Sequence, residues 1–382
     1  MCKVIVFAER MLPSTQTFIP IQVNALRRYK PQYVGLIPAE RNLELPGKPV
    51  LLTPDRSLFS RVRRELYRWS GVAPSFHGRV KACGAQLLHA HFAEGGPPAL
   101  FLSKVLGIPF LLHLRGGAEL FPDAELSKQL FQLPYLTHRQ EIWKRASLFL
   151  CVSEYIRQKA ILAGFPEEKV RVHYTGMSFE TFNSSLSVEG KDSNLVLYVG
   201  RLVPYKGCDY LIRAMKLVRE QKPNAHLVVI GGGEMRASFE RLAAELQVPC
   251  QFLGEQKQDI VRHWYQKARV FCGPSLTLND GMSEAFGNVF SEAQAMGVPV
   301  VSFRHGGIPE TMLEGVTGLL APERDVEMLA AHLFRFLDDE GFWMNARKTG
   351  MTWVREKFDV RSQTAKLEEL YDQVIGEASP AT

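Results

Sequence analysis

Short runs of valine, isoleucine and leucine return along almost the whole of this 382-residue chain, each followed by a longer stretch that is apolar at helical spacing. The first series is KVIVFA (3–8), QYVGLIP (32–38), QLLHAHF (86–92), PFLLHL (109–114), LFLCVS (148–153) and VRVHYTG (170–176). The second is NLVLYVG (194–200), AHLVVIGGG (225–233), CQFLGE (250–255), RVFCGPS (269–275) and VPVVSF (298–303). Continuous apolar runs, rather than alternating ones, are what parallel strands buried on both faces require. Intervening patterns such as CDYLIRAMKLVREQ and ASFERLAAELQ turn each repeat into a βα unit. The alternation restarts behind the polar stretch NSSLSVEGKDSN, which divides the chain into residues 1–190 and 191–360. Two Rossmann-like doubly wound α/β domains facing a cleft are the predicted architecture. Ligands of open parallel sheets sit outside the carboxyl ends of the strands, so the loops that follow these runs are where chemistry is expected.

Composition narrows the classes. An apolar fraction of 46% with 23% charged residues fits a folded globular chain, and no apolar run reaches the roughly 18–20 residues of a bilayer span. The start, MCKVIVFAERMLPS, reads as a first strand without a signal-peptide pattern. Six cysteines, at 2, 83, 151, 208, 250 and 272, form no C-x-x-C pair, which points to reduced cytoplasmic thiols and away from structural zinc. Charge is uneven: residues 1–190 carry 24 Lys and Arg against 15 Asp and Glu, and residues 56–81 alone carry seven basic residues and one acidic. Leu58, Phe59, Val62, Leu66, Tyr67 and Trp69 are interleaved with those charges. Such a segment suits an anionic membrane surface, with peripheral attachment at the inner face of the cytoplasmic membrane. The competing reading is an amphipathic helix whose apolar side is core. No nucleic-acid motif accompanies the patch.

GRLVPYKG (200–207) follows the strand run at 194–200. Arg201 and Lys206, with the N–H groups of a glycine-bounded loop, suit a diphosphate. VIGGGEM (229–235) lacks the third glycine of G-x-G-x-x-G, and tight strand-to-helix packing explains it as well as phosphate binding does. In DGMSEAFGNVFSEAQAMGVPVV (280–301), a helix is predicted to begin near Asn288, with Glu284 in the loop ahead and Glu292 roughly one turn inside. On helical geometry the two glutamates stand about 12 Å apart, placed to grip different parts of one long ligand rather than to act as a pair. The N–H groups of Gly287, Asn288 and Val289 would face an anionic centre between them. Carboxylates accept hydrogen bonds strongly, which suits sugar and ribose hydroxyls.

These motifs together resemble a known family. GRLVPYKG and the stretch from SEAFGNVFSEAQAMGVPVV to GVTGLL resemble the nucleotide-binding domain of retaining glycosyltransferases of family 4, which have the two-Rossmann GT-B fold. PSTQTFIPIQVNAL (13–26) is similar to that family's N-terminal loop, LHAHFAEGGPPALFLSKVLGIPFLLHLRGG (88–117) to its acceptor-domain core, and VRVHYTGMSFETF (170–182) to the segment before its linker. The resemblance implies that Glu284 contacts the donor sugar, Glu292 the ribose, and Arg201 and Lys206 the diphosphate. It also implies that the helical tail 361–376 returns to the first domain, which would bind the acceptor. One departure stands out. Many members carry His-Gly after the strand equivalent to PFLLHL, near the reacting sugar; here Arg115 precedes Gly116, and His113 lies two residues earlier on the same side of the strand. Arg115 is the favoured occupant of that site, with His113 a second candidate. His89 and His91 alternate with Ala90 and share a face.

The implied reaction moves a sugar, with retention, from a nucleoside-diphosphate donor (a UDP-sugar favoured) to a glycan or lipid-linked saccharide in cell-surface polysaccharide synthesis. The chain has no Asp-x-Asp loop, so no cofactor and no catalytic metal are expected. Three rivals remain open at this stage: a nicotinamide-dependent oxidoreductase, which lacks its glycine fingerprint, a nucleotide-sugar epimerase, and a catalytically silent nucleotide-sugar binder.

Overall fold

The computed structural model describes the chain apart from residues 14–15, 41–42, 44, 117–119, 121–122, 185–188, 280 and 379–382, and the side chains of 123 and 124. Strands β1 (Cys2–Met11), β2 (Tyr29–Pro38), β3 (Val50–Leu51), β4 (Leu87–His91), β5 (Phe110–Leu114), β6 (Leu148–Cys151) and β7 (Val170–Val172) form one sheet in the order β3-β2-β1-β4-β5-β6-β7. A second sheet has the order β10-β9-β8-β11-β12-β13, from β8 (Leu195–Val199), β9 (His226–Ile230), β10 (Cys250–Gly254), β11 (Val270–Cys272), β12 (Val300–Phe303) and β13 (Gly318–Ala321). Every pairing is parallel. The eleven expected runs are all strands; the inner ones bury side chains on both faces, whereas β7 and β10, at the sheet edges, are only partly buried. Two more strands, β3 and β13, are not among the expected runs; β3 is only two residues long.

The chain forms two compact units, Met1–Gly176 with Val360–Thr382, and Met177–Asp359. This corrects the boundary expected at residue 190. Met177 N–H donates to Phe358 O at 2.9 Å and Arg262 donates to Thr181 O at 3.1 Å, so residues 177–181 are already fastened to the second unit. The polar stretch reads as a joint only because it is polar, and residues 185–188 of it lie outside the described residues. The last helix, Val360–Ala378, belongs to the first unit as expected. Leu367, Tyr371 and Val374 are buried with Val4, Leu87, Leu111 and Leu150, and Glu368 accepts the N–H groups of Arg27 and Arg28 at 2.8 and 2.7 Å.

One helix of the first unit inverts the usual burial. Leu58–Ser70 is capped by Ser57, whose hydroxyl accepts Ser60 N–H at 3.3 Å, and is ended by Gly71 in the left-handed conformation. Its buried residues are Ser60, Tyr67 and Arg68, whereas Leu58, Phe59, Val62, Leu66 and Trp69 are exposed, Phe59 to 73% and Leu66 to 63%. The apolar side is therefore not core. Arg68, 1% exposed, instead faces Glu9 at 3.0 Å and Glu65 at 2.9 Å, and Arg64 lies 3.7 Å from Glu9. Two of the basic residues that read as a surface patch are thus committed to an internal ion cluster.

Candidate functional site

The strand order of the second sheet reverses between β8 and β11, and the loops leaving these strands carry the motifs singled out above. Gly200 N–H donates to Ile230 O at 2.9 Å and Leu202 N–H to Gly232 O at 2.7 Å, which laces the loop after β8 to the glycine run after β9. A Cβ on Gly231 would stand 1.9 Å from Gly200 O, so close backbone packing alone accounts for that run.

The laced loop delivers Lys206 onto Glu284, 78 residues later in the chain. The pair is mostly buried, with side-chain exposures of 16% and 13%. Burial opposes charge on both groups, but each holds the other ionised: Glu284 is kept below the ordinary carboxylate range and Lys206 above the ordinary amine range. Arg201 stands apart from the pair; it is exposed, donates to the Tyr205 hydroxyl at 2.6 Å, and adds a weaker positive influence on Glu284.

Glu284 is also clamped through its backbone. Its N–H donates to His305 Nε2 at 2.9 Å, and its carbonyl accepts Gly307 N–H at 3.0 Å. His305 must then carry its proton on Nδ1, which donates to Glu323 Oε1 at 2.8 Å. Glu323 in turn accepts Thr277 N–H and its hydroxyl, both at 2.9 Å. Sequence reading does not single out His305, Glu323 or Thr277. The available signal was a histidine at the carboxyl end of a strand run, in VSFRHGG.

Helix Asn288–Ala295 begins after Gly287 in the left-handed conformation, and no side chain caps its first turn. A Cβ on Gly287 would lie 3.5 Å from Glu284 Cγ, so the helix mouth with Asn288 and Val289 opens beside the Lys206–Glu284 pair. Glu292, one turn on, is partly exposed and lies near Tyr265, whose hydroxyl donates to Val289 O at 3.2 Å. Burial pushes Glu292 up to about 7. The two glutamates thus differ in kind, one held ionised and one poised to titrate. Asp280, at the start of the glutamate motif, lies outside the described residues. A cavity of about 570 Å³ opens nearby at Pro204, Asp209, Leu276 and Asn279, but Lys206, Glu284 and Glu292 do not line it. The side-chain cluster, not that cavity, defines the candidate site.

The Glu292 shift has a testable sign. Its folded pKa stands above the ordinary 4.5, so its contribution to folding is fullest below that value and fades as pH rises through about 7. An ionised carboxylate accepts hydroxyl hydrogen bonds best, so, on the ribose contact that the family resemblance implies for Glu292, UDP affinity is expected to rise with pH across that same window. Glu292→Gln should flatten the rise, measured by calorimetry from pH 5.5 to 8.5. Parallel profiles for the two proteins would remove Glu292 from the ligand.

In the first unit, Arg115 and His113 stand two residues apart at the carboxyl end of β5. His113 is fully buried, paired across the sheet with His91, and its Nδ1 is 3.2 Å from His89 Nε2. Arg115 keeps 8% exposure, donates to Thr175 Oγ1 and Gln22 Oε1 at 3.1 Å each, and stacks 4.7 Å over the Phe18 ring. Burial draws its pKa down to about 9. Of the two candidates only Arg115 retains surface. The second glycine of the Arg-Gly-Gly run, Gly117, lies outside the described residues. Ligand-capable nitrogens of His89, His91 and His113 all fall within 4.8 Å of one another. Burial holds these rings neutral, and the Arg115 guanidinium, 3.4 Å from His91 Nδ1, opposes a second cation there.

Two doubly wound units, one with a cation–carboxylate pair at the mouth of an uncapped helix, define a GT-B protein. The chain belongs to the glycosyltransferases: residues 25–180 match the family model Glycosyltransferase Family 4 and residues 180–353 match Glycosyl transferases group 1. It is 33% identical over 337 residues to an uncharacterized glycosyltransferase of Methanocaldococcus jannaschii, covering 75% of this chain and 84% of that one. It is 29% identical over 297 residues to the amylovoran biosynthesis glycosyltransferase AmsK of Erwinia amylovora, covering 77% of this chain and 72% of AmsK. Among solved structures, Anabaena HepE in complex with UDP and glucose aligns with a TM-score of 0.75 at 18% identity, over 98% of this chain and 100% of that one. Sucrose-phosphate synthase from Thermosynechococcus elongatus aligns at 0.73 and 20% identity, over 99% and 100%.

Proposed function

We propose that this glycosyltransferase moves a sugar, with retention of configuration, from a UDP-sugar to a saccharide or lipid-linked saccharide in cell-surface polysaccharide synthesis. The observation that carries the reading is the Lys206–Glu284 pair, clamped by His305 and set beside the uncapped helix. Donor binding would exchange partners. The diphosphate takes Lys206, and Glu284, released from it, accepts hydroxyls of the transferred sugar. Arg201 and the N–H groups of the helix mouth add positive charge where the leaving diphosphate gains negative charge. Front-face attack assisted by the departing phosphate then gives retention without a protein nucleophile. AmsK's role in amylovoran synthesis and the UDP and glucose bound by HepE support this choice of donor and pathway type.

The test is a panel of UDP-, GDP- and dTDP-sugars with short saccharide acceptors, reading nucleotide release and the anomeric configuration of the product. The fixed cations stand in for a divalent ion, so turnover in chelator should stay within about a factor of two. An inverted product, or activity that only magnesium or manganese restores, would overturn the mechanism. Turnover without acceptor would point to epimerisation, and UDP binding without turnover to a silent binder.

We further propose that the acceptor is met at an anionic membrane surface on the cytoplasmic side. Among the described residues no helix is long and apolar enough to cross a membrane. The exposed strip Leu58, Phe59, Val62, Leu66 and Trp69, with Arg61 exposed and Arg63 partly so, suits the headgroup boundary of an anionic bilayer. Because Arg64 and Arg68 are internal, the informative change is apolar. Phe59→Ser with Leu66→Ser should weaken binding to phosphatidylglycerol vesicles by at least about tenfold and leave UDP affinity unchanged. Wild-type protein that ignores such vesicles at low salt would sink this part of the proposal.

A further inference from the structure

The second unit has a cavity of about 460 Å³ at the end of its sheet away from Lys206, within the roughly 300–1,000 Å³ common for ligand pockets. It opens at the amino ends of β8, β9 and β10, whereas the candidate site follows carboxyl ends; the five residues of β8 put roughly 16 Å between the two. Strand register explains its place. Leu195 pairs with His226 and Val228 with Gln251, and the four share one face of the sheet because side chains alternate along each strand. The other face, with Val196, Leu227 and Val229, is packed into the core. The helix Gln258–Lys267, which links β10 to β11, packs over β8 and leaves His226 partly exposed and Gln251 exposed toward the sheet edge.

Trp264 and Lys267, three residues apart in the last turn of that helix, both line the cavity, with the Lys267 ammonium 5.3 Å from the Trp264 ring centroid. Among the described residues, the Trp264 indole N–H, the Lys267 ammonium and the Gln251 amide make no hydrogen bond within the protein. Asp192 is fixed by the N–H of Asn194 at 2.9 Å and by His226 Nε2 at 3.3 Å, and its carboxylate still has lone pairs to spare. Leu195 and Val228, both buried, supply an apolar floor. The charge is also distinctive. The helix ends here, so its last carbonyls and Asp192 bring negative charge, with Lys267 as counterweight. A phosphate is best held at the opposite pole, by helix N-termini at the carboxyl ends of the strands.

We propose that this cavity holds a neutral sugar ring of a glycan, at a distance from the reacting centre. Asp192 accepts its hydroxyls, Lys267 and the Trp264 N–H donate to its oxygens, and Gln251 does either. The apolar C–H face of the ring lies against the Trp264 indole. An aromatic plane beside a carboxylate, an amide and an ammonium suits a polyol, which both donates and accepts, better than it suits an ion of either sign. That the glycan is an acceptor or product of this enzyme rests on the transferase reading; the cavity's preference for a saccharide does not. A second hold on a glycan long enough to reach both places makes rebinding intramolecular, so the enzyme would stay on a growing chain between transfers.

The test is fluorine NMR on the full chain labelled with fluorotryptophan, in which the resonance missing from Trp264→Phe is that of Trp264. Hexasaccharides of glucose, galactose, mannose and N-acetylglucosamine are the neutral probes, and a hexagalacturonate is the anionic comparison. At least one neutral hexasaccharide should shift the Trp264 resonance saturably, and UDP alone should not. By saturation transfer on the same saccharide, Trp264→Ala should weaken binding at least about tenfold, the loss of an apolar platform. Gln251→Ala should weaken it about three- to tenfold, the loss of one hydrogen bond. Gln251 is exposed and Trp264 partly so, so both variants should keep the fold, which thermal melting checks. No shift from any neutral hexasaccharide, undiminished binding by both variants, displacement by UDP, or preference for the hexagalacturonate would each overturn the proposal. UDP calorimetry on the same samples separates the two readings. UDP binding without a saccharide shift defeats the cavity alone, and a saccharide shift without UDP binding defeats the donor site alone.

Discussion

Lys206→Glu is expected to abolish measurable UDP binding. The substitution removes the buried ammonium that faces Glu284 and puts a carboxylate where the diphosphate would sit. Two like charges about 4 Å apart repel by about 4 kcal/mol at an effective dielectric of about 20. Loss of the attractive contact adds to that, so affinity should fall by at least about a thousandfold. Lys206→Met, which loses the contact without adding repulsion, should cost only about ten- to a hundredfold. In the free protein the charge-reversed variant also sets Glu284 against a second carboxylate, so its melting temperature should drop while the far-ultraviolet spectrum is kept. Calorimetry showing the same UDP affinity in both variants as in wild type would mean that the diphosphate lies elsewhere.

Gly306→Ala is expected to be far more damaging than an ordinary left-handed alanine. Gly306 has φ +54°, and a Cβ there would stand 2.1 Å from the carbonyl oxygen of Glu284. Backbone, not a flexible side-chain end, is what the methyl meets, so the 284 segment or the 305–307 segment must move. Either movement breaks the Glu284 N–H to His305 bond or the Gly307 N–H to Glu284 bond. Gly315→Ala is the control, with φ +78° and nothing within 4 Å of the added Cβ. It should cost only the left-handed backbone penalty, about 1–2 kcal/mol. Gly306→Ala should exceed that by several kcal/mol. On the proposed role of Glu284, its turnover should fall at least about a hundredfold, since misplacing a catalytic group by about 1 Å costs that much. Equal melting temperatures and equal turnover for the two alanine variants would show that the clamp does not position Glu284.

What the sequence made legible follows from distance along the chain. Strand runs such as VIVFA and LVLYV declare themselves because burial on both faces leaves a contiguous apolar signal. Lys206, Glu284 and the helix at Asn288 stand out because each sits in a short motif after such a run. Their pairing does not, because it closes a gap of 78 residues that no local pattern records. The same holds for Thr277, His305 and Glu323, which meet only when three loops of the second unit are folded. Glu9 was hidden differently: in VIVFAERM it reads as the polar end of a strand, and nothing local says that Arg68 will be buried against it. Residues 56–81 were legible in charge and apolar content but not in orientation, since a helical pattern gives the angle between two faces and not which one turns inward.

The last helix has a consequence for how such an enzyme can be rebuilt by recombination. A gene cut once near codon 177 would separate Val360–Ala378 from the sheet that it completes. The first unit would then lose Tyr371, which hydrogen-bonds His89, and Glu368, which holds the N–H groups of Arg27 and Arg28. A foreign donor half joined at that single seam would bring its own terminal helix, whose face has not been shaped against Val4, Leu87 and Leu111. Viable chimeras therefore need two crossovers, near 177 and 360, that exchange an internal cassette and leave both ends of the coding sequence with the original parent.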